Sequence, residues 1–177
     1  MSEYPIAHRI NAGQNGYFAK DWYTREQISV GHNLGDNDQQ TKEKIHEKDP
    51  TQHNYVSRFL GCHPDDGKNI HVGDNVIAYA PNQDILLGIG SVLSEPYYER
   101  NPRTLTTEDT HHYWRDITWL PWSKPVDIDE IATIDNRFCE NGKHRAYATS
   151  TLERYNGDFT GLKEAIEKCD QVNINRI

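Results

Sequence analysis

Cysteine is scarce in this sequence, with three residues among 177. Cys62, Cys139 and Cys169 lie far apart and form no CxxC pair, a spacing that predicts neither a disulfide framework nor a zinc ribbon and is typical of a reducing compartment. Long apolar runs are absent as well, and residues 1–10 lack the basic and apolar regions of a signal peptide. These absences predict a soluble, cytoplasmic protein without a membrane partner.

Basic residues are also in deficit, because 19 Lys and Arg stand against 27 Asp and Glu and give a net charge of −8. This balance argues against strong, sequence-independent binding of nucleic acid, so any polynucleotide must be bound at a local site. The apolar content of 35% is low, which predicts a modest core with long polar loops. The length fits a single domain over residues 1–177.

No catalytic signature of the GxSxG, Walker or Rossmann type occurs, and we predict no enzyme activity and no cofactor. The string "CHPDDGKNIH" suggests an enzyme as an alternative, a metal-dependent hydrolase that uses His63, Asp65, Asp66 and His71. The string resembles that of zinc-dependent sugar deacetylases. However, it follows a polar helical stretch instead of a buried strand, and no Glu follows its second Asp. We therefore predict no bound metal.

The first part of the chain reads as strand, turn, helix and strand. Residues 4–11 predict a strand that ends at an Asn/Gly turn, and Phe18 and Trp22 then mark one apolar helical face. The alternation in "QISVGHN" predicts a half-buried strand that ends at Gly31. The polar residues 35–58 favour two short helices separated by a proline.

The second part predicts a hairpin and a mixed tail. Apolar strands over 76–80 and 85–93 flank the turn "PNQD", and a long polar loop follows over 94–112. The stretch "YWRDITWLPW" predicts another strand, the region 145–155 a further one, and 161–169 an amphipathic helix. Together these elements predict an α+β fold in which short helices flank a small curved or closed β-barrel.

The turn "NAGQNG" admits two interpretations. Glycine and asparagine supply positive φ angles and local hydrogen bonds, so an ordinary turn is one of them. The other is the rim of a pocket, because glycines let a ligand approach the backbone and amide side chains both donate and accept.

Five weak motifs, taken in order, favour the second interpretation. "RINAGQNGYFAKDWYTREQISVGHNLGD", "GDNVIAYAPNQDILLGIGSV", "YY", "HYWRDITWL" and "KHRAYATSTLERY" resemble the reader domains of modification-dependent restriction proteins of the McrB- and Mrr-associated type. Those domains are similar to the EVE and YTH members of the PUA-like superfamily. The resemblance covers roughly residues 8–155. It implies a PUA-like barrel that takes one nucleobase out of its strand into an aromatic pocket.

The resemblance also implies which residues contact the base. The Asn/Gly loop matches the loop that carries polar base contacts, and the tyrosine pair matches the loop that supplies a cage aromatic. His32 stands where such readers usually have the tryptophan that forms one wall. The candidate base-binding residues are Asn11, Gly13, Gln14, Asn15, His32, Asn33, Tyr97, Tyr98, Trp114 and Asp116.

The function implied is that of a specificity module in a restriction or defence system. Its partner would be DNA that carries a modified, for instance methylated, base, with RNA as an alternative, and cleavage would come from a motor and nuclease domain or subunit. Two further alternatives stay open. One is a PUA-like domain that binds a nucleotide, a small ligand or a protein, and the other is the metal-dependent hydrolase.

Overall fold

The structure is a computed structural model, and it describes residues 5–36, 42–101 and 110–177. Eight strands and five α-helices lie in this part of the chain. The strands are β1 (Ala7–Asn11), β2 (Gln27–Val30), β3 (Asn75–Ala80), β4 (Ile85–Val92), β5 (Tyr97–Tyr98), β6 (Tyr113–Trp119), β7 (Val126–Asp127) and β8 (Leu152–Tyr155). The helices are α1 (Ala19–Arg25), α2 (Lys42–Lys48), α3 (Tyr55–Phe59), α4 (Ile128–Ile134) and α5 (Phe159–Lys168).

The strands form one sheet with a continuous path in the order β2-β6-β4-β3-β1-β8, to which β5 and β7 attach beside β6 and β4. β1 runs parallel to β3, whereas the other paired strands are antiparallel. The sheet curls like half a barrel and carries a few short helices. The predicted mixed α+β class with a small curved sheet is therefore confirmed.

Alternate residues of β3 pack in two separate cores. Val76, Ala78 and Ala80 lie in the first core, together with residues of α1 and α3, whereas Ile77 and Tyr79 lie in the second core with residues of α4 and α5. Because both faces of this strand are covered, its sequence is a continuous apolar run instead of an alternating one.

The first helix follows directly from the Asn/Gly turn. Phe18 and Trp22 are fully buried, as their four-residue spacing predicts, and the backbone N–H of Trp22 donates to the carbonyl of Phe18 at 2.8 Å. The helix ends at Glu26, which has a left-handed φ of 55° and donates its N–H to the carbonyl of Trp22. This stop lets the chain enter β2 at once.

The predicted hairpin is confirmed. β3 and β4 pair antiparallel across the loop 81–84, in which Asn82 and Asp84 adopt left-handed φ angles of 65° and 51°. Among residues with side chains, Asn and Asp tolerate this conformation better than most. The hydroxyl of Tyr79 donates to the Asp84 carboxylate at 2.9 Å and fixes the loop to the strand.

Other elements differ in extent from the prediction. The tyrosine pair at 97–98 forms the short strand β5 beside β6, although the sequence predicts loop there, and residues 102–109 of that loop lie outside the described part. In the tail only 152–155 is strand. The last helix starts at Phe159, ahead of the predicted 161, because the Asp158 side chain accepts from the Gly161 N–H and caps it.

Candidate functional site

A cavity of about 530 Å³ lies at one end of the sheet, and we call it the strand-end cavity. It is lined by residues from six segments that are separated in sequence. These residues are Asn11, Gly13, Asn15, Gly31, His32, Tyr55, Pro81, Thr110, His111 and Thr151.

The curvature of the sheet creates this cavity. Asn11 ends β1, Gly31 follows β2, and Thr151 precedes β8, so strand ends supply much of the lining. β2 and β8 are the two outer strands of the six-strand path. In a flat sheet their ends would be about five strand spacings, or roughly 24 Å, apart, whereas the curl brings them to one cavity.

The Asn/Gly turn forms one rim. Gly13, Asn15 and Gly16 all have positive φ angles, of 75°, 58° and 72°. A side chain on Gly16 would meet the carbonyl oxygen of Pro81 at 3.0 Å, so glycine allows the turn to pack against the hairpin loop. The Asn15 amide hydrogen-bonds to Asn82, which joins these two loops. The side chain of Gln14 lies outside the described part of the structure.

Asn11 presents an acceptor in a fixed orientation. Its Nδ2 donates to the carbonyl oxygen of Ser150 at 3.1 Å, and because a carbonyl only accepts, this bond determines which side of the amide is oxygen. Oδ1 is buried and has no hydrogen-bond partner among the described residues. A buried carbonyl oxygen without a partner costs free energy.

Two rings meet in the lining of the cavity. His32 has a left-handed φ of 63° and is exposed, and its ring lies edge-on to Tyr55 with centroids 5.9 Å apart. Tyr55 is the first residue of α3. A third ring, His111, is buried and stacks on Phe18 at 4.1 Å. The aromatic part of the lining therefore comes from two histidines and a tyrosine.

The tyrosine pair that the resemblance assigned to the cage is not part of this lining. The Tyr97 hydroxyl donates to Asp116 at 2.9 Å and accepts from Gln27 at 2.6 Å. The Tyr98 hydroxyl donates to Asn33 at 3.0 Å. β5 is held beside β6, which directs these rings to partners outside the cavity. The expected convergence of the tyrosine pair with the Asn/Gly turn on one pocket is thus not found.

The remaining predicted residues are also engaged elsewhere. Trp114 is fully buried in the first core, donates its indole N–H to the carbonyl of His111 at 3.0 Å, and does not line the cavity. Asp116 accepts from Tyr97, as described, and Asn33 accepts from Tyr98 and from the N–H of Gly35. The pairing of strands determines these side-chain positions. The spacing of residues along the chain does not reveal which strands pair.

A second cavity, of about 740 Å³, adjoins the first and shares Tyr55 and Thr151 with it. We call it the basic groove, because three of its lining residues are Arg or Lys and only one is acidic. The lining residues are Gln52, His53, Asn54, Tyr55, Arg58, His63, Lys68, Thr149, Ser150, Thr151, Leu152, Glu153 and Arg154.

The single acid of the groove is already engaged. Glu153 lies 3.2 Å from an Arg9 nitrogen and 2.9 Å from an Arg145 nitrogen, and it accepts hydrogen bonds from Thr149 and Ser150. Burial alone would raise its pKa, but these hydrogen bonds and the charge of Arg9 outweigh burial and lower the pKa to about 2. Glu153 is therefore a neutralised anion, and the groove has an excess of positive charge.

Unfavourable backbone conformations concentrate at these two cavities. The described part of the chain has seven non-glycine residues with positive φ, and Asn15, His32, His53 and Asn54 among them line one or the other cavity. Such conformations cost about 1–3 kcal/mol each and tend to cluster at binding sites. This observation favours a functional role for the same region.

The residues of the alternative metal site hold a turn together. His63 Nδ1 accepts from the Asp65 N–H at 3.0 Å, and the Asp66 carboxylate lies 2.9 Å from His71 Nε2. Across residues 5–36, 42–101 and 110–177, no three His, Cys, Asp or Glu side chains are grouped so that they could hold a metal ion. The described residues therefore offer no support for the metal-dependent hydrolase.

Sequence reasoning missed several lining residues. Tyr55 and His111 belong to no motif that predicts a binding role. Arg58, Lys68 and Arg154 carried no signal, because they are separated by ten and by 86 positions. The left-handed φ angles of His53 and Asn54, 65° and 51°, became visible only in the structure.

Comparisons with known proteins do not place the chain in a family. No family model matches the sequence, and no curated protein is significantly similar to it. The crystal structure of protein Atu2648 from Agrobacterium tumefaciens superposes with a TM-score of 0.40 and 10% identity over 95% of this chain and 99% of that chain. A likeness at this level carries no argument about function.

None of the helices in the described ranges combines the length and the apolar character that crossing a bilayer requires.

Proposed function

We propose that this protein is a PUA-like reader module that binds a modified nucleobase, extruded from a DNA strand, in the strand-end cavity. The observation that carries the proposal is that the Asn/Gly turn, through Asn11, Gly13 and Asn15, lines one cavity together with His32 from a second segment. Its volume of about 530 Å³ lies within the range of roughly 300–1,000 Å³ for small-molecule sites. The module itself catalyses no reaction.

The lining suits a flat base with an N–H group on its edge. The rings of His32 and Tyr55 offer aromatic surface, and a stacked base is worth about 1–3 kcal/mol per ring contact. Asn11 Oδ1 would accept from an exocyclic amine, such as that of cytosine or adenine. The tryptophan that the resemblance leads one to expect is replaced by His32, and Tyr55 compensates for part of the lost ring area.

The role in defence rests on the resemblance to restriction-associated readers. A reader without catalysis must transmit recognition to other machinery, so we propose that it licenses a motor and nuclease domain or subunit. Extruding a base costs a few kcal/mol of stacking and pairing, and damaged, mismatched or unpaired bases cost least. We therefore expect single-stranded or locally opened DNA to bind more tightly than a perfect duplex.

The test is a binding titration with oligonucleotides that differ in one base. Fluorescence anisotropy is measured for strands that carry 5-methylcytosine, 5-hydroxymethylcytosine, N6-methyladenine or no modification, single- and double-stranded, at low and moderate salt. We expect one modified strand to bind at least about tenfold more tightly than its unmodified counterpart, a difference of about 1.4 kcal/mol. Equal affinity for all strands would contradict the proposal.

A matched pair of variants connects the preference to the cavity. Asn11→Ala removes the unpaired acceptor and should weaken the binding of the preferred strand by about 1–3 kcal/mol. Asn33→Ala removes the same side-chain type from the residue beside His32, outside the cavity, and should leave the preference unchanged. Identical effects of the two variants would show that the strand-end cavity does not hold the base.

A further inference from the structure

The basic groove contains a buried cation, Arg58, that forms no ion pair with a carboxylate of the described residues. Arg58 is 7% exposed, and its Nε and Nη1 donate to the carbonyl oxygens of Lys68 and Leu152, each at 3.2 Å. Within the described ranges, no carboxylate oxygen lies within 4.0 Å of its guanidinium, and Nη2 donates to no described residue. Burial lowers the pKa of Arg58, and only the more distant charge of Glu153 counteracts this effect.

This arrangement leaves donors of the Arg58 guanidinium available to an anion in the groove. Two carbonyl oxygens position the guanidinium but supply no negative charge, and a buried charge without a counter-ion costs free energy. Glu153 also lines the groove, but Arg9 and Arg145 both pair with it. The groove therefore keeps a fixed, partly desolvated donor ready for an external anion, the setting in which charge-assisted hydrogen bonds are strongest.

Two exposed cations lie in the same groove. Lys68 Nζ is 3.7 Å from the Asp65 carboxylate, and both side chains are about half exposed, so this ion pair is weak. Arg154 is exposed and uses Nη1 to donate to the carbonyl of Gly67 at 2.9 Å. Both side chains can therefore contribute further donors to the same ligand. Three cations with one neutralised acid form a local positive site on a chain of net charge −8.

The position of the groove indicates what kind of anion it takes. It shares Tyr55 and Thr151 with the strand-end cavity, so the two cavities adjoin at these residues. We propose that the basic groove is a phosphate-binding subsite in which Arg58, Lys68 and Arg154 contact the backbone of the strand whose base occupies the strand-end cavity. The ligand is then a polynucleotide strand, and a free base or nucleoside lacks half of the contacts. The identity of the base rests on the proposed function, but the phosphate contacts do not.

The test distinguishes phosphate contacts from base contacts by comparing strands with and without bases. The probes are a single-stranded DNA of roughly twelve nucleotides, an abasic deoxyribose-phosphate strand of the same length, and a nucleoside monophosphate. Affinity is measured by anisotropy, or by competition for the monophosphate, over a series of salt concentrations. Because each neutralised phosphate of a single strand contributes about 0.7 to the slope of log K against log salt, Lys68→Ala and Arg154→Ala should each reduce the slope by about that amount.

The control is Lys168→Ala, which removes an exposed lysine from α5, the helix that packs in the second core, outside both cavities. It should leave the slope unchanged for both strands. Arg58→Lys keeps the charge but loses the forked donors, so it should weaken the binding of both strands at least threefold. The melting temperature of this variant is measured as well. If that variant does not fold, the two exposed cations still decide the outcome.

The results distinguish this subsite from the proposed base reader. The subsite is wrong if the abasic strand does not bind, if Lys68→Ala and Arg154→Ala leave the slope unchanged, or if the monophosphate binds as tightly as the strands. It is supported if the abasic strand binds with the expected slopes, even when no modified base is preferred. That last combination would overturn the base reader alone.

Discussion

The indole N–H of Trp22 donates a hydrogen bond to the hydroxyl oxygen of Ser29 at 2.8 Å inside the first core. The same oxygen lies 2.8 Å from Nδ1 of His111, whose ring lines the strand-end cavity. All three side chains are buried. One hydroxyl on β2 thus connects helix α1 to the wall of the cavity and holds the His111 ring in place.

Ser29→Ala should destabilise the protein by about 1–3 kcal/mol, because it leaves the Trp22 indole and the His111 ring without their buried partner. Urea denaturation followed by tryptophan fluorescence measures the change. Thr24→Ala is the control, since it removes an exposed hydroxyl that donates to the Lys20 carbonyl, and we expect a change within about 0.5 kcal/mol. Equal effects would mean that the buried hydroxyl contributes nothing specific.

His32→Gly tests whether the ring serves binding instead of folding. His32 has a left-handed φ of 63°, which glycine adopts without the cost of about 1 kcal/mol that a side chain incurs. We expect unchanged or slightly higher stability, together with weaker binding of the preferred oligonucleotide by about 1–3 kcal/mol. Conversely, His32→Trp should bind more tightly because it offers a larger ring. A loss of stability without any loss of affinity would assign the ring to folding.

Arg115→Leu should be severely destabilising. The guanidinium is fully buried and donates to the carbonyl oxygens of Phe59 at 2.7 and 2.9 Å, Ile70 at 2.9 Å and Ser94 at 3.2 Å. Leucine leaves these acceptors unsatisfied, so we expect a loss of about 3 kcal/mol or more in a denaturant titration. Arg25→Ala breaks an ion pair with Asp21 in which the arginine is about half exposed, and it should cost about 0.5 kcal/mol. A small effect at Arg115 would show that water replaces its hydrogen bonds.

Stability should fall in acid as Glu153 becomes protonated. Its pKa is about 2 in the folded protein, below the value of about 4.3 for an unperturbed glutamate. A lowered folded-state pKa means that the stabilisation is fully present above about pH 4.3 and is lost as the pH falls through about 2. Glu153→Gln should therefore be less stable than the parent near neutral pH, and the two profiles should converge near pH 2. Glu164→Gln, on an exposed position of α5, should follow the parent throughout.

Removal of metal should change nothing. His63 and Asp66 are engaged in a turn, and the described residues contain no grouped metal ligands. We expect EDTA to leave the melting temperature and the affinity for oligonucleotides unchanged. Stoichiometric zinc in the purified protein, with a fall in melting temperature on chelation, would restore the hydrolase alternative.

Local sequence patterns were sufficient for much of the secondary structure. The apolar runs of β3 and β4 with their turn residues predicted the hairpin, and the spacing of Phe18 and Trp22 predicted the buried face that leads into α1. These features depend on contacts between neighbours in the chain, such as helical spacing and turn preferences, which the sequence states directly.

Strand order and side-chain partners could not be read in this way. Tyr97 and Tyr98 carried a plausible aromatic signal, but pairing of β5 with β6 gave them partners outside the cavity. Arg58 gave no signal at all, because a buried cation is recognisable only once its surroundings are known. The site therefore depends on long-range pairing, which a single sequence does not encode as a local pattern.

By itself, the sequence determined the acidic balance, the position of the Asn/Gly turn and the apolar stretches that form the sheet. Only the tertiary structure decided that this turn lines one cavity with His32 and Tyr55, and that a groove lined by the buried Arg58 lies beside them. The physical reason is the curl of the sheet, which brings the ends of its two outer strands together, since proximity across a curved sheet has no counterpart in the order of residues.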